Sequence, residues 1–426
     1  MRGLHAALVA VAMVLAAGPF ASALTVSWDG GAGTSNWSDA TNWSNDIVPT
    51  ASTDVVIDDN APASILTGAN NSNARSITIT KTSDFKIAKG AAGMFLNLSS
   101  NTPLIYNPGN ASTFTFDSSL TYFWQATGFN NPVYEIDGQA TFLFSGSTFV
   151  PINGAGAGTS MTKTGTGTMR FPGSDYMPVA INVSAGTMID GMYSFSITKT
   201  NACLGPSTRG QTITVSVAPN ATFKFDGNAA FMDTNAPINS GTTLANGILA
   251  NFAGGGMVQL AGSNHTLTDC GASFSPGASD ANGTGILSFQ GNVTFGLVST
   301  YVSCVNAGTA GKACSLNIDI AAGGIGMTPG VDFDQLAVSG TVTTINNCDL
   351  IVDGIGAVAG NSYTFLTSGN SLASAAFKSV TVNNTSLPYT VAPIGSGLGY
   401  QISFTPEPAT MSLLVLGGLA MLKRKS

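Results

Sequence analysis

The chain has 426 residues, of which 9% are charged, and its formal net charge at pH 7 is −7. An average soluble domain carries roughly 25% charged residues, so the solubility of this chain depends on its hydroxyl and amide side chains. Between residues 24 and 404 the basic residues are scattered singly, which excludes the basic patch that a nucleic-acid-binding protein needs.

Residues 1–23 have the pattern of a secretory signal peptide. A basic residue, Arg2, precedes an apolar core over 6–17, and small side chains stand at Ala21 and Ala23. Signal peptidase accepts small residues at those two positions, so we expect cleavage after Ala23 and export of the rest of the chain.

Residues 24–59 contain three tryptophans, Trp28, Trp37 and Trp43, separated by turn-forming residues. Short strands and tight turns bring aromatic faces together, and we expect this segment to cap one end of a β-structure. The cluster could instead be a platform on which sugars stack, since spacing does not separate the two. The pattern W-x-G-G, N-W-S, N-W resembles the opening segment of bacterial surface proteins built from autotransporter-type β-strand repeats.

From about residue 60 onward, apolar and polar side chains alternate over short runs, for example at 77–80, 212–217 and 315–320. Period two with Thr, Val, Ile and Phe is typical of half-buried strands. Between the terminal segments, no helix start, helical stripe and helix stop occur together. The sequence therefore predicts an all-β fold.

Internal echoes indicate which all-β fold this is. The motif at 112–118 (STFTFDS) recurs at 140–146 and at 221–227, with offsets of 28 and 81 residues. Since 81 is three times 27, a unit of about 27 residues fits both intervals. Periods of 20 to 50 residues are typical of solenoids, in which stacked coils supply one another with a core. We expect β-solenoid repeats over residues 60–259.

The stretch 163–191, KTGTGTMRF followed by INVSAGTMIDG, resembles the passenger-associated repeat of autotransporters. That repeat opens with K-x-G-x-G-T and a hydrophobic residue, and it closes with a G-T-L strand. Met188 stands in the closing leucine position, which changes the packing volume little. The resemblance implies a right-handed parallel β-helix.

Residues 260–404 continue the β-rich pattern. Their order of motifs, S-P-G, G-x-L-x-F, D-F-D-Q-L-x-V-x-G and G-x-x-Y-x-F-L, resembles the C-terminal end of the same surface proteins. This resemblance implies that the solenoid, or a β-rich extension of it, runs to the end of the exported body.

Five cysteines lie between the two terminal segments: Cys203, Cys270, Cys304, Cys314 and Cys348. Export permits disulfides, and an odd count allows at most two pairs within the chain. Cys304 with Cys314 is the easiest closure because the loop between them is short and glycine-containing. No C-x-x-C pair is present, so a zinc site is not predicted.

Catalytic chemistry finds few candidates. His265 is the single histidine after the signal peptide, and no G-x-S-x-G motif accompanies it. Glu135 is the single glutamate before the C-terminal segment. Asp332 and Asp334 alternate on one predicted strand, where both would face the same side and could bind a cation or act as an acid pair. We predict no catalytic residue, no cofactor and no metal, and the family resemblance explains the two aspartates as structural.

Residues 405–426 form the most specific pattern in the chain. A stiff Pro406-Glu407-Pro408 triplet precedes an apolar run over 411–422 that ends in three basic residues; the residues concerned are Pro406, Glu407, Pro408, Lys423, Arg424 and Lys425. This order resembles the PEP-CTERM sorting signal of exopolysaccharide-producing Gram-negative bacteria. The resemblance implies a short C-terminal transmembrane helix, transient insertion in the inner membrane and removal by an exosortase. A permanent anchor is the alternative.

These patterns predict an exported, non-enzymatic structural or adhesion protein of the cell surface, outer membrane or extracellular matrix. Signal peptidase and an exosortase would process it, and exopolysaccharide is a candidate partner. One alternative is a polysaccharide lyase on a β-helix, although Arg75, Arg170 and Arg209 lie in no acidic cluster. Another is a carbohydrate-binding module that uses Trp28, Trp37, Trp43 and Trp124, which would need at least two of those rings exposed along one face.

Overall fold

A computed structural model describes residues 23–68, 72–90, 95–117, 122–125, 131–144, 149–150, 160–171, 180–190, 213–225, 229–231, 250–259, 266–269, 272–277, 283–295, 314–321, 327–343, 345–370, 372 and 376–406. Within these ranges the chain forms 34 strands in four sheets and three short 3-10 helices. The helices are η1 (Ala40–Asn42), η2 (Ser44–Asp46) and η3 (Ile345–Asn347). The all-β prediction is confirmed.

The first long sheet has 13 strands. In spatial order they are β1 (Leu24–Ser27), β2 (Thr53–Ile57), β5 (Ser76–Ile79), β8 (Leu104–Tyr106), β11 (Val133–Ile136), β14 (Ser160–Thr164), β16 (Ala180–Val183), β18 (Ile213–Val217), β21 (Ala250–Gly254), β24 (Ala272–Pro276), β27 (Cys314–Asp319), β30 (Cys348–Asp353) and β32 (Ser379–Asn383).

The second long sheet also has 13 strands. In spatial order they are β3 (Ser64–Leu66), β6 (Phe85–Ala88), β9 (Thr113–Phe116), β12 (Thr141–Phe144), β15 (Thr168–Phe171), β17 (Thr187–Asp190), β19 (Thr222–Phe225), β22 (Met257–Gln259), β25 (Ile286–Gln290), β28 (Gln335–Val338), β31 (Ser362–Ser368), β34 (Gly399–Phe404) and β33 (Tyr389–Pro393).

Two four-stranded sheets complete the set. One contains β4 (Ser72–Ala74), β7 (Phe95–Leu98), β10 (Tyr122–Gln125) and β13 (Phe149–Val150). The other contains β20 (Ala229–Phe231), β23 (Thr266–Asp269), β26 (Asn292–Thr294) and β29 (Val342–Thr343).

The chain visits the sheets in turn, and each return places a strand beside its counterpart from the previous visit. In the described residues, every pairing of named strands is parallel except β31 with β34 and β33 with β34. This topology is that of a parallel β-solenoid, and it continues through residue 260, since β22 pairs with β25 and β21 pairs with β24.

The core is a stack of inward side chains from successive coils. Phe85, Phe114 and Phe142 are register partners on β6, β9 and β12. Their ring centroids lie 5.4 and 5.3 Å apart, with interplanar angles of 17° and 23°. Period-two alternation puts one face of each strand inside, and the in-register pairing then stacks like residues on one another.

The sequence echoes mark equivalent strands of the second long sheet. Thr141, Thr168, Thr187 and Thr222 are successive register partners, so three coils separate the second echo from the third, as 81 residues predicts. The prediction of an even 27-residue unit is wrong, because the three intervals are 27, 19 and 35 residues. Corner loops change in length while the paired strands keep their register.

Each end of the long sheets has a different arrangement. At the N-terminal end, residues 35–37 pair with Leu66 of β3, and Trp28 bridges to Trp43 beside β1. At the C-terminal end, β34 and β33 add an antiparallel hairpin to β31. Within the described part of the chain, no helix has the length and apolar character needed to cross a membrane.

Candidate functional site

The tryptophan cluster is a buried cap. Trp28, Trp37 and Trp43 are at most 1% exposed. Trp43 packs edge-on against Trp28 at 4.9 Å and against Trp37 at 4.8 Å, with interplanar angles of 78° and 66°. Its indole nitrogen Nε1 donates to the carbonyl of Trp37 at 2.7 Å. These three rings therefore offer no coplanar exposed platform, and the side chain of Trp124 lies outside what the structure describes.

A buried lysine occupies the corner between β14 and β15. Lys163 is fully buried, and its Nζ donates to the carbonyl oxygens of Gly165 at 2.5 Å and Ala185 at 2.9 Å. The two acceptors belong to corners of successive coils. Lys81 repeats the arrangement earlier in the chain, donating to the carbonyl of Ala61 at 2.8 Å. The K-x-G pattern thus has a structural role in satisfying buried carbonyls.

Burial lowers the pKa of the Lys163 ammonium to about 8, and the nearby Asp137 carboxylate opposes that change. A lysine with such a pKa is a candidate general base. Here, however, the side chain is fully buried and its amine donates to two main-chain carbonyls. This lysine has no access to a polysaccharide substrate in the folded chain.

The aspartate pair predicted on one strand is divided between two environments. The strand β28 begins only at Gln335, so the prediction that Asp332 and Asp334 alternate on one strand is wrong. Asp332 lies in a turn and accepts from the backbone N–H of Thr328 at 2.8 Å. The turn interrupts the period-two pattern, which is why the two carboxylates do not face the same side.

Asp334 is 1% exposed and joins two other parts of the chain. Its carboxylate accepts from the backbone N–H of Gly285 at 2.8 Å and of Asp319 at 3.0 Å. Hydrogen bonds of this kind satisfy a buried carboxylate. The D-F-D-Q-L motif therefore has a structural role at this point, where Asp334 binds neighbouring coils.

The remaining acidic groups stay dispersed. Burial raises the pKa of Asp319, and the register partner Asp353 adds to that increase. Burial likewise raises the pKa of Glu135, with Asp137 contributing. Among the residues that the structure describes, no group of three or more His, Cys, Asp or Glu side chains could hold a metal ion.

The basic residues weighed for a lyase do not converge on these carboxylates where the structure describes them. Arg75 donates from Nε to Asp54 at 2.8 Å, and Arg170 lies exposed on β15. Arg209 and His265 lie outside the described residues. Of the sorting residues, Pro406 follows β34, while Glu407, Pro408, Lys423, Arg424 and Lys425 lie outside the description. Cys304 also lies outside it.

The outer surface carries rows of polar side chains that run along the stack of coils. One row, the threonine ladder, lies on the second long sheet. Its members occupy the same register position on five successive strands and are half-buried: Thr113, Thr141, Thr168, Thr187 and Thr222. Neighbouring strands lie about 4.8 Å apart, so the ladder repeats one hydroxyl per coil.

A second row, the serine row, lies on the first long sheet. Its register partners are Thr214, Asn251, Ser273, Ser315, Asp349 and Ser379. Hydrogen bonds join its members to one another and to the adjacent row. Ser315 Oγ lies 2.9 Å from Ser273 Oγ, and Asn317 Nδ2 donates to Ser273 at 2.8 Å.

The sequence analysis did not identify either row as a surface. Threonine does occupy the same place in all three echoes, at Thr113, Thr141 and Thr222. The other two members of the ladder, Thr168 and Thr187, follow from strand pairing alone. Comparisons of the chain with protein-family models, with curated proteins and with solved structures found no match. The family resemblances therefore enter the function as proposals.

Proposed function

We propose that this chain is an exported, non-enzymatic structural or adhesion protein of the cell surface, outer membrane or extracellular matrix. In this proposal, signal peptidase removes residues 1–23, and an exosortase removes the PEP-CTERM tail over 405–426 after its transient insertion in the inner membrane. The exported body is a right-handed β-helix, the hand of nearly all crossovers between parallel strands.

The observation that carries this proposal is the repetition of polar groups on the outside of the solenoid. The threonine ladder and the serine row repeat about every 4.8 Å along the stack, and the charged residues are few. A polysaccharide is also a repeating chain of hydroxyl groups. A surface of regularly spaced hydroxyls and amides suits many weak hydrogen bonds along such a chain.

Binding of the purified chain to an insoluble neutral glucan tests the polysaccharide role. We expect the triple variant Thr141→Val, Thr168→Val, Thr187→Val to bind less, because each substitution removes a ladder hydroxyl and keeps a β-branched side chain. The matched control replaces the same residues by serine and retains the hydroxyls. Equal binding by the valine and serine variants would contradict a role for the ladder.

Intact mass of the protein from the culture medium and from membranes tests the sorting role. We expect a species that begins at Leu24 and ends near Thr405. A mature species that retains Lys423, Arg424 and Lys425 would instead indicate a permanent anchor.

A further inference from the structure

Two cysteines from neighbouring coils meet inside the solenoid. Cys314 is the first residue of β27, Cys348 is the first residue of β30, and the two are register partners. Both side chains are fully buried, and their Sγ atoms lie 2.8 Å apart. We propose that Cys314 and Cys348 form a disulfide that links these two coils.

The strand pairing fits the geometry that a disulfide needs. Paired parallel strands lie about 4.8 Å apart, within the range of about 4.4–6.8 Å seen between the Cα atoms of disulfide-bonded cysteines. Register partners point to the same face of a sheet. Cys314 shares the inner face with Leu316 and Ile318 of the same strand, and all three side chains are fully buried.

A disulfide explains the short sulfur separation better than two thiols or a metal ion. At 2.8 Å the sulfur atoms are closer than two unbonded sulfurs pack. Two sulfurs bound to one zinc ion, with Zn–S bonds of about 2.3 Å, stand about 3.8 Å apart at the tetrahedral angle. No metal-holding group of three such ligands occurs in the described residues either.

The proposed pair replaces the pair that chain proximity suggested. A disulfide between Cys314 and Cys348 leaves no thiol on Cys314 for Cys304. The two partners are 34 residues apart in the chain, yet the return of the chain to the same sheet brings them together. Sequence distance favours the shorter loop, whereas strand register favours this one.

The bond forms by thiol–disulfide exchange with an oxidant that carries its own disulfide. The thiolate of one cysteine attacks that disulfide, and a mixed disulfide forms as one oxidant thiolate leaves. The second cysteine thiolate then attacks the protein sulfur and displaces the other oxidant thiolate. Two cysteine protons are released and two electrons reduce the oxidant to a dithiol. Because both side chains are fully buried in the folded chain, exchange precedes closure of the coil.

Oxidation in the cell rests on the proposed export, because disulfides persist in oxidising compartments, whereas the pairing rests on the geometry alone. Proteolytic mapping of the full chain without reduction separates the two. The chain is refolded with oxidised glutathione in one sample and recovered from the producing cell in the other. Free thiols are alkylated in denaturant before digestion.

We expect one linked pair of peptides that contains Cys314 and Cys348 in both samples. Alkylation of both cysteines in the refolded sample, or a link from either one to another cysteine, would overturn the pairing. A link in the refolded sample with free thiols in the cell-derived sample supports the pairing and contradicts export.

Thermal unfolding gives a second measurement. Reduction of the wild type in denaturant, followed by refolding, should lower its midpoint by about 5 °C or more, since the bond closes a long loop. The double variant Cys314→Ala, Cys348→Ala should show no such change on the same treatment, and the matched variant Cys203→Ala should keep it. An equal midpoint for oxidised and reduced wild type would contradict a bond between these coils.

Discussion

At the scale of single residues, the corners of the solenoid are held by groups that local sequence preference alone would not place inside. Lys163 is fully buried, and its ammonium group bonds carbonyls of two successive corners. Gly165 lies next to it with φ of +72°, a conformation that L side chains rarely adopt. The K-x-G part of the repeat pattern follows from these two requirements.

The lowered pKa of Lys163 predicts that stability rises with pH. Between pH 8 and about 10.4 the unfolded lysine binds a proton that the folded one has released, so the free energy of unfolding increases across that window. We expect the difference between the wild type and Lys163→Met to move toward the wild type by about 1–2 kcal/mol from pH 7 to pH 9.5.

Urea unfolding of both proteins at the two pH values measures this change. Subtraction of the variant removes the contributions of all other titrating groups, such as Tyr106, whose pKa is raised by burial. A difference that is constant between pH 7 and pH 9.5 would mean that Lys163 keeps its ordinary pKa in the fold.

Two glycines with similar backbone conformations separate backbone strain from close contact. A Cβ atom on Gly165 would lie near the carbonyl oxygen of Ile136, whereas a Cβ atom on Gly138, with φ of +60°, meets no atom within 4 Å. We expect Gly138→Ala to lower the free energy of unfolding by about 1–2 kcal/mol through strain alone, and Gly165→Ala to lower it further. Equal losses in urea unfolding would show that the corner relaxes around the methyl group.

At the scale of strands, stability comes from stacking. Most strands have three to five residues, and isolated short strands are at best marginally stable in water. Each strand buries one face against the other sheets and pairs on both edges with neighbouring coils. The phenylalanine stack of Phe85, Phe114 and Phe142 shows how the in-register pairing turns a repeated residue into a continuous core.

The middle ring of that stack predicts the contribution of inward positions. We expect Phe114→Ala to lower the free energy of unfolding by about 3–5 kcal/mol, since it leaves a cavity between two rings. Thr115→Ala on the outer face of the same strand is the matched control, and we expect a change within about 0.5 kcal/mol. Comparable losses for the two variants in denaturant unfolding would contradict a core that depends on stacking.

At the scale of the whole molecule, the two long sheets have free ends that need protection, because an unpaired strand edge is a template for another chain. The N-terminal cap covers β3 through residues 35–37 and closes over β1 with the buried tryptophans. At the other end, β33 is the last strand of its sheet and lies between Pro388 and Pro393, which lack backbone donors.

Removal of the cap predicts self-association. A chain of residues 51–406 exposes the outer edges of β2 and β3, and we expect its average mass in solution to increase with concentration. The control is a chain of residues 24–406, which keeps the cap and lacks the same C-terminal tail. Light scattering that gives the same concentration dependence for both chains would mean that the cap does not protect these edges.

The sequence by itself determined the fold class and the stacking of repeats. Alternation of apolar and polar residues is a local property of a strand, so it predicts strands without knowledge of their partners. The 81-residue offset between echoes gave the right number of coils because equivalent strands keep their inward phenylalanines. The offset did not give the individual coil lengths, since corner loops vary freely while the strands stay paired.

Only the tertiary structure decided which residues meet. Tryptophan spacing allowed both a cap and a platform, and burial of Trp28, Trp37 and Trp43 in the fold selected the cap. Sequence distance favoured the nearest partner for Cys314, but parallel strand register places Cys348 beside it. The physical reason is common to both cases: in a solenoid, contacts depend on the return of the chain to the same sheet, and that return depends on corner geometry that no local pattern contains.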